Sequence, residues 1–186
     1  DDIQRVVNNI ASERSPKTVR NYHAIITSVL KDNNVNLVVK TTMPQKILPK
    51  LHIPSDDEIK RLIDGIKNTE LEIPVLLAAF CTMRRGEICA LSMDDIDGCI
   101  IHVHHSLVLG PDKKWHLKPP KTKSSDRYVD APEFVISRIR EHGYITTKNP
   151  TIVTQTFRRT LRHLGIPHFR FHDLRHYSAS VQHALG

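Results

Sequence analysis

The stretch that decides the interpretation of this sequence is Phe169-Arg170-Phe171-His172-Asp173-Leu174-Arg175-His176-Tyr177. It places two arginines and two histidines within seven residues. On a helix, His172 and Arg175 are three positions apart and share a face. That face offers a guanidinium fork and an imidazole that can hold or pass a proton, a pair suited to a phosphate on which chemistry takes place. The alternative, from this stretch alone, is a basic helix lying on solvent or nucleic acid.

The charge of the chain indicates a polyanionic partner. Its 186 residues carry a formal charge of +7, and the sequence pI is about 9.5. Residues 1–50 hold 8 Lys and Arg against 4 Asp and Glu, residues 51–142 hold 13 against 15, and residues 143–186 hold 6 against 1. A slightly acidic middle between two basic ends suggests a shaped binding surface, with a merely solvated basic protein as the simpler alternative.

Other features of the composition exclude several classes of protein. The three cysteines have no metal-like spacing and predict reduced thiols in an intracellular protein. No apolar run is long enough to span a membrane, and the first residues do not have the pattern of a signal peptide. His102 and His104 share a strand face, but no cysteine or carboxylate lies at finger-like spacing, so no metal is expected. Aromatic residues make up only 5%, which argues against single-strand stacking platforms.

Hydrophobic periodicity predicts two helices at the start of the chain. Residues 1–14 place apolar side chains on one stripe, and Ser15-Pro16 is an N-cap followed by a first-turn proline. The helix that follows has its own apolar stripe, and two helices cannot bury both stripes alone. We therefore interpret residues 1–40 as the C-terminal helices of a helical domain and residues 41–54, rich in proline and lysine, as a linker.

A capping box, Ser55-Asp56-Asp57-Glu58, begins a second domain at residues 55–186. Its predicted elements are a buried helix at 73–80, a strand pattern at 100–109, short strands at 115–117 and 127–129, and helices from Pro132, at 150–164 and from the opening stretch onward. The basic segment 118–125 is predicted to be a loop or hairpin tip. The fold class is therefore mixed α+β and mainly helical, with a small antiparallel sheet or hairpin.

Three separated motifs resemble those of the tyrosine recombinases, the phage-integrase family. Residues 82–91, Thr-Met-Arg-Arg-Gly-Glu-Ile-Cys-Ala-Leu, resemble the first-arginine motif, with Arg84 as the arginine. Residues 119–127, Pro-Pro-Lys-Thr-Lys-Ser-Ser-Asp-Arg, resemble the β-hairpin lysine segment, with Lys121 as the lysine. His-Asp-Leu-Arg-His resembles the His-x-x-Arg box, with His172 and Arg175. The resemblance spans about residues 50–186, and all three motifs in order are a stronger signal than any one.

The sequence departs from the family pattern in three places. The family usually has a glycine two residues before its first arginine, where this chain has Thr82, and commonly a threonine where this chain has Tyr177. The family's third His or Trp and its nucleophilic tyrosine lie farther past the second arginine than Gly186. Tyr177 is too close to Arg175 to act as the nucleophile. We therefore expect a fragment, a catalytic domain truncated before its tyrosine and inactive without it, preceded by the end of a core-binding domain.

The resemblance implies metal-free cleavage and rejoining of double-stranded DNA through a phosphotyrosyl intermediate. Arg84 and Arg175 would stabilise the charge that develops on the phosphate oxygens, supplying what Mg²⁺ supplies elsewhere. Lys121, with Lys123 as its rival, would protonate the leaving 5′-oxygen, and His172 would hold the proton of the incoming hydroxyl. No cofactor is expected.

Supporting and binding roles follow from the same resemblance. Glu87 would orient Arg84, and His176 would either support the site or pack the helix. The candidate phosphate-contacting residues are Lys17, Arg20, Lys123, Arg158, Arg159 and Arg162. The expected assembly is a homotetramer on DNA and a monomer in isolation, in the bacterial cytoplasm.

Three other functions compete with recombination. One is a DNA-binding protein that keeps the fold and charge without the chemistry. Another is an enzyme similar to type IB topoisomerases, which uses a similar basic set. A metal-dependent nuclease is the weakest alternative, because the sequence has no clustered carboxylates.

Overall fold

The computed structural model describes residues 2–35, 40–45, 53–119 and 125–185, and of residues 180–185 it describes the backbone alone. Contacts between Cα atoms divide the chain into two units, Asp1–Leu51 and His52–Gly186. The domain boundaries expected from the sequence stay a prediction. Each unit is considered by itself.

The first unit consists of two helices and a short extended segment. Helix α1 spans Asp2–Glu13, and helix α2 spans Pro16–Asp32. Ser15 precedes α2, and its side chain accepts a hydrogen bond from the backbone N–H of Thr18. Each helix buries one valine, Val7 and Val19. The predicted N-cap is therefore present, and the cap and proline fix where α2 begins.

The second unit contains the remaining elements. Its helices are α3 (Asp56–Ile66), α4 (Glu72–Phe80), α5 (Arg85–Ile88), α6 (Glu133–His142), α7 (Pro150–His163) and α8 (Asp173–Leu185). Its strands are β1 (Ile96–Asp97), β2 (Ile100–Val103), β3 (Ser106–Leu109), β4 (Trp115–Lys118) and β5 (Arg127–Asp130). A short 3₁₀ turn at Met93–Asp95 precedes β1.

Helix α4 is the centre of the core. Every residue from Glu72 to Ala79 is buried, as expected of a helix that is apolar on all sides. Helices α3, α6 and α8 contact it. The largest fully buried side chains around it include Leu62, Ile139, Phe157 and Leu174. The predicted capping box of Ser55 and Glu58 is present at the start of α3.

The strand pattern at 100–109 forms two strands rather than one. Strand β2 pairs with β1 and β5, and strand β3 pairs with β4, all antiparallel. His104 and His105 interrupt the strand between them. The alternation of apolar and polar residues predicted a strand over 100–109. The interruption is not visible in the sequence, because the alternation continues through it.

The same register shows how the strands on either side of the basic segment pair. Lys118 pairs with Ser106 and Arg127 pairs with Val103, so β4 and β5 each pair with the outgoing strands and not with each other. The tip of this ribbon is the turn at Gly110, whose N–H and carbonyl bond to Lys114 and Lys113. Lys118 ends β4 and Arg127 begins β5. Residues 120–124 between them lie outside the described residues, so the loop or hairpin tip expected at 118–125 stays a prediction.

The mixed, mainly helical fold predicted from the sequence is confirmed. Among the helices of the described residues, none combines the length and the apolar character that crossing a membrane requires.

Candidate active site

Arg84 is placed by the sharp turn that follows α4. The chain leaves α4 at Phe80, passes through Thr82 at φ +49°, and reaches Arg84, the residue that precedes α5. The backbone N–H of Arg84 donates to Oε2 of Glu87 at 2.8 Å, and Nη1 of Arg84 donates to Oε1 at 2.8 Å. Glu87 therefore bonds to both the backbone and the guanidinium of Arg84.

Glu87 has a second arginine partner that the sequence analysis did not single out. Arg127, on β5, donates Nη2 to Oε2 at 2.9 Å and Nη1 to Oε1 at 3.3 Å. The Glu87 side chain is only 7% exposed. Burial raises the pKa of Glu87, but the hydrogen bonds from Arg127 and Arg84 outweigh it and lower the pKa overall, so the group is a carboxylate.

The His-x-x-Arg box is fixed by Asp173. Its buried carboxylate accepts hydrogen bonds from the backbone N–H of Arg170 at 2.7 Å and from the guanidinium of Arg170 at 2.8 Å. Helix α8 begins at Asp173, which places His172 just before its first turn and Arg175 within it. Arg170 is thereby committed to Asp173, and Arg175 is the arginine of the box that stays available.

Arg84 and Arg175 lie close enough to repel each other. Burial lowers the pKa of Arg175, and the charges of Arg84 and Arg127 lower it further, while Glu87 raises it. In the part of the chain that the structure describes, no carboxylate other than Glu87 contributes to this shift. Two guanidiniums thus bond to one buried carboxylate, and the charge of a third, Arg175, is felt nearby, which leaves a local excess of positive charge.

His172 lies beside this group. Burial lowers the pKa of His172 from 6.5, and the nearby His176 and Arg175 lower it further. The ring of His176 meets that of His172 edge-on, with centroids 5.1 Å apart. His172 is therefore neutral at pH 7 and can accept a proton.

A cleft of about 340 Å³ opens beside Arg84. It is lined by Arg84, Glu87, His105, Ser106, Val108, Lys118, Pro119 and Ser125. Lys118, Pro119 and Ser125 flank the segment that carries Lys121 and Lys123, and both of these lysines lie outside the described residues. The segment therefore leaves and rejoins the described chain at the edge of this cleft.

The predicted phosphate-contacting residues of α7 line two different clefts. Arg158 and Arg162, one turn apart on α7, line a cleft of about 300 Å³ with His168, whereas Arg159 lines a different one. Arg20 is committed to the fold, because its guanidinium donates to the carbonyls of Pro44 at 2.7 Å and Pro16 at 3.3 Å. Lys17 is exposed.

His102, on β2, and His104, just after it, have protein partners. Nε2 of His102 contacts Oδ1 of Asp126 at 2.9 Å, and Nε2 of His104 contacts Oδ1 of Asp95 at 2.7 Å. In the described residues, no cluster of three or more His, Cys, Asp or Glu could hold a metal ion.

Tyr177 is held by a hydrogen bond to Asp56, at the start of α3. Burial and the Asp56 carboxylate raise the pKa of Tyr177 to about 12. A phenol in this setting stays protonated and is a poor nucleophile.

Comparison with known proteins identifies one related sequence. No family model matches the chain. The tyrosine recombinase XerC-like protein of Caldanaerobacter subterraneus subsp. tengcongensis is 27% identical over 181 residues, which cover 77% of this chain and 46% of that protein. The chain thus spans about half the length of this relative.

Several solved structures share the fold. The Tn1549 transposon integrase in complex with transposon right end DNA has a TM-score of 0.77 at 16% identity, over 100% of this chain and 72% of that chain. A lambda integrase dimer bound to a COC′ core site has a TM-score of 0.70 at 14% identity, over 98% and 72%. XerA recombinase has a TM-score of 0.59 at 22% identity, over 100% and 69%.

Proposed function

We propose that this chain, which is related in sequence to a tyrosine recombinase and has that family's catalytic-domain fold, is the DNA-cleaving part of a site-specific recombinase or integrase. The observation that supports this function is that Arg84, whose guanidinium donates to the buried Glu87 carboxylate, lies near enough to Arg175 for the two charges to interact. Like charges held together cost stability unless an anion joins them. A DNA backbone phosphate is such an anion, and its oxygens match the guanidinium fork.

The donors of these two arginines are available for a phosphate. Among the described residues, the Arg84 guanidinium has a side-chain acceptor at one of its three nitrogens, Nη1. The guanidinium of Arg175 has no side-chain acceptor there. The Arg84 side chain is 53% exposed, so its remaining N–H groups can reach a ligand. When a phosphodiester is attacked, charge grows on its non-bridging oxygens. Donors fixed in advance at those oxygens stabilise the transition state more than the ground state.

The proposed reaction moves two protons. A tyrosyl oxygen attacks phosphorus and forms a 3′-phosphotyrosyl bond, while the bond between phosphorus and the 5′-oxygen breaks. The tyrosyl proton passes to neutral His172. The leaving 5′-oxygen keeps the electron pair of the broken bond and receives a proton from Lys121. The phosphotyrosyl bond conserves the energy of the broken bond, so a 5′-hydroxyl can later reverse the step. His176 supports the ring of His172.

Tyr177 is excluded as the nucleophile. Its hydroxyl is engaged with Asp56 and its pKa is raised to about 12, so it is not poised to lose its proton. The proposed nucleophile is a different tyrosine, expected beyond Gly186 in the polypeptide.

The proposed partner is double-stranded DNA. Lys17, Arg158 and Arg162 are exposed cations that can contact backbone phosphates outside the cleavage site, as can Arg159. Arg20 is omitted from this set, because its guanidinium is engaged by two carbonyls. We further propose a monomer that assembles as a homotetramer on DNA, in a bacterial cytoplasm and in the service of a mobile element.

A suicide substrate tests this proposal directly. A polypeptide extended to include the nucleophile is incubated with duplex DNA nicked next to the cleavage site, and covalent protein–DNA adduct is measured on denaturing gels. We expect adduct without a divalent metal, and none with Arg84→Ala. Arg140→Ala is the matched control, because Arg140 is an exposed arginine that donates to the carbonyl of Gly98. DNA binding without adduct would instead identify a DNA-binding protein, and EDTA-sensitive cleavage would identify a nuclease.

A further inference from the structure

We propose that Arg127 is a positioning residue for Arg84, acting through Glu87, so that Arg84 keeps its donors free for the phosphate. This inference rests on the proposed function. It assigns a role to an arginine that lies on a strand, 43 positions from Arg84 in the numbering of the sequence.

The geometry divides Glu87 evenly between two arginines. Oε1 accepts from Nη1 of Arg84 at 2.8 Å and Nη1 of Arg127 at 3.3 Å. Oε2 accepts from the backbone N–H of Arg84 at 2.8 Å and Nη2 of Arg127 at 2.9 Å. A carboxylate has about four acceptor positions, so these four bonds saturate it. Glu87 cannot rotate toward Arg84 without breaking the fork that it shares with Arg127.

This competition controls how much of Arg84 is engaged. With Arg127 in place, Glu87 takes one nitrogen of the Arg84 guanidinium. Without Arg127, the buried carboxylate loses two of its four donors, and a second bond to Arg84 is the nearest replacement. Arg84 would then turn its fork toward Glu87 and away from the phosphate. Arg127 is therefore needed to keep the Arg84 guanidinium oriented toward the phosphate, although Arg127 need not contact the DNA.

The charges favour the same role. Arg127 and Arg84 both lower the pKa of Arg175, and Glu87 opposes them. Loss of Arg127 would leave one carboxylate for two arginines instead of three, which weakens the local attraction for an anion. Arg127 also donates from Nη1 to the carbonyl of Ser125 at 3.3 Å, which fixes its guanidinium beside the cleft that Arg84 lines.

A double-mutant cycle separates this role from simple structural support. Cleavage of the suicide substrate is compared for Arg127→Ala, Glu87→Gln and the double variant, with Arg127→Lys added because it keeps the charge and loses the fork. We expect Arg127→Ala to slow cleavage about 10- to 100-fold with little change in DNA affinity, and Arg127→Lys to restore only part of it. In the Glu87→Gln background, Arg127→Ala should slow cleavage no further. Additive losses would overturn the inference.

The pH profile supplies a readout that a structural role would not move. Arg127 is the first of the groups that lower the pKa of Glu87, so its loss lets burial raise that pKa. The cleavage rate of Arg127→Ala should therefore fall at a higher pH than that of the wild type as the solution is acidified. Arg127→Ala in the Glu87→Gln background should lack this change, and an unshifted profile in Arg127→Ala alone would contradict the role.

A measurement without DNA distinguishes failure of this inference from failure of the proposed function. The side-chain ¹⁵N resonances of Arg84 are assigned by comparison with Arg84→Lys and followed in the wild type and in Arg127→Ala. We expect them to move when Arg127 is removed, and to be unaffected by that removal in Glu87→Gln. If they do not move, the inference is wrong; if they move but no wild-type adduct forms, the inference stands and the proposed function is wrong.

Discussion

Two buried glutamates, Glu72 and Glu87, both accept hydrogen bonds from arginines. The two clusters differ in how many guanidinium N–H groups are left without a protein acceptor. Arg138 donates from Nε to Oε1 of Glu72 at 2.8 Å and from Nη2 to Oε2 at 2.9 Å. Its Nη2 also reaches Oδ1 of Asn68 at 2.8 Å, and its Nη1 donates to Glu141. Every nitrogen of that guanidinium has a protein acceptor. Around Glu87, two arginines, Arg84 and Arg127, share one carboxylate, and among the described residues the nearby guanidinium of Arg175 has no side-chain acceptor.

The difference shows which ion pair points to a ligand. Both glutamates have lowered pKa values, because arginine hydrogen bonds outweigh the effect of burial. A shifted pKa therefore does not distinguish the two clusters. What distinguishes the clusters is the number of acceptors for each guanidinium. Arg138 has two carboxylates and an amide oxygen as acceptors, whereas the guanidiniums near Glu87 outnumber its single carboxylate. The first arrangement, the closed cluster of Glu72, Arg138, Asn68 and Glu141, uses its guanidinium donors within the protein. The second, the open cluster of Arg84, Glu87, Arg127 and Arg175, is the one that we propose binds an anion.

The largest expected effect is on the open cluster. Arg175→Ala should slow covalent capture of the suicide substrate by about 100- to 1000-fold, because a donor to the transition-state oxygens is lost. It should leave the melting temperature nearly unchanged or raised, since it removes a cation that its neighbours repel. Adduct yield and thermal denaturation by circular dichroism measure the two effects.

Arg175→Lys is the matched control, because it keeps the charge and removes the fork. We expect it to recover DNA affinity more than cleavage. Cleavage by Arg175→Ala at the wild-type rate would remove Arg175 from the site.

The closed cluster should give the opposite result. Arg138→Gln should lower the melting temperature by roughly 5–10 °C, because Glu72 stays buried and loses its main partner. Wherever the variant is folded, its cleavage rate should equal that of the wild type. A slower reaction in the folded variant would show that the Glu72 cluster is not purely structural.

The loss of stability in Arg138→Gln should depend on pH. In the wild type, the lowered pKa of Glu72 contributes stability above the unfolded-state value, and this is lost as pH falls through the folded value. In the variant, burial is opposed only by the backbone N–H of Asn68 and the charge of His142, so the pKa of Glu72 rises and its ionisation contributes less stability. Melting temperatures measured at about pH 4 and pH 7 should therefore differ more between the two proteins at pH 7.

Local sequence patterns predicted most of the helices. They also pointed to the members of the first-arginine motif and of the His-x-x-Arg box. Ser15, Ser55 and Pro150 begin their helices as expected, because caps and first-turn prolines act within a few residues. The approach of Arg84 to Arg175 was also expected, although through resemblance to a family rather than from any local rule.

The features that the sequence did not predict depend on pairing across long distances. Arg127 reaches Glu87 because the β2–β5 register sets Arg127 opposite Val103, and no local pattern specifies that register. The commitment of Arg20 to Pro44 and of Tyr177 to Asp56 likewise joins residues far apart in the chain. Such contacts are decided by packing, so the polar residues involved look like ordinary surface residues in the sequence.

A smaller effect is expected where the open cluster meets the strand ribbon. A Cβ atom at Gly86 would lie 2.5 Å from Oγ of Ser106 and 3.1 Å from the carbonyl oxygen of Leu107. The hydroxyl can rotate, but the backbone of β3 cannot move freely. Gly86→Ala should therefore displace α5, move Arg84, and slow cleavage about 10-fold with a loss of about 1–3 kcal/mol in stability.

A second substitution tests the cause. Adding Ser106→Ala removes the closer contact, so it should recover part of both losses. If Gly86→Ala changes neither stability nor cleavage, the close approach of α5 and β3 does not fix Arg84.

The smallest expected effect lies at Thr82, in the turn that joins α4 to Arg84. A β-branched residue at φ +49° is strained, at a cost of about 1–3 kcal/mol. Thr82→Gly relieves this strain but adds about 0.5–1 kcal/mol of unfolded-chain entropy, so a net gain of about 1 kcal/mol is expected. Thr82→Ala, which removes only the branch, should gain less, as urea unfolding will measure. If Thr82→Gly stabilises the fold but also slows cleavage, the strain itself helps to hold Arg84 toward the phosphate, and the turn belongs to the open cluster rather than to the core.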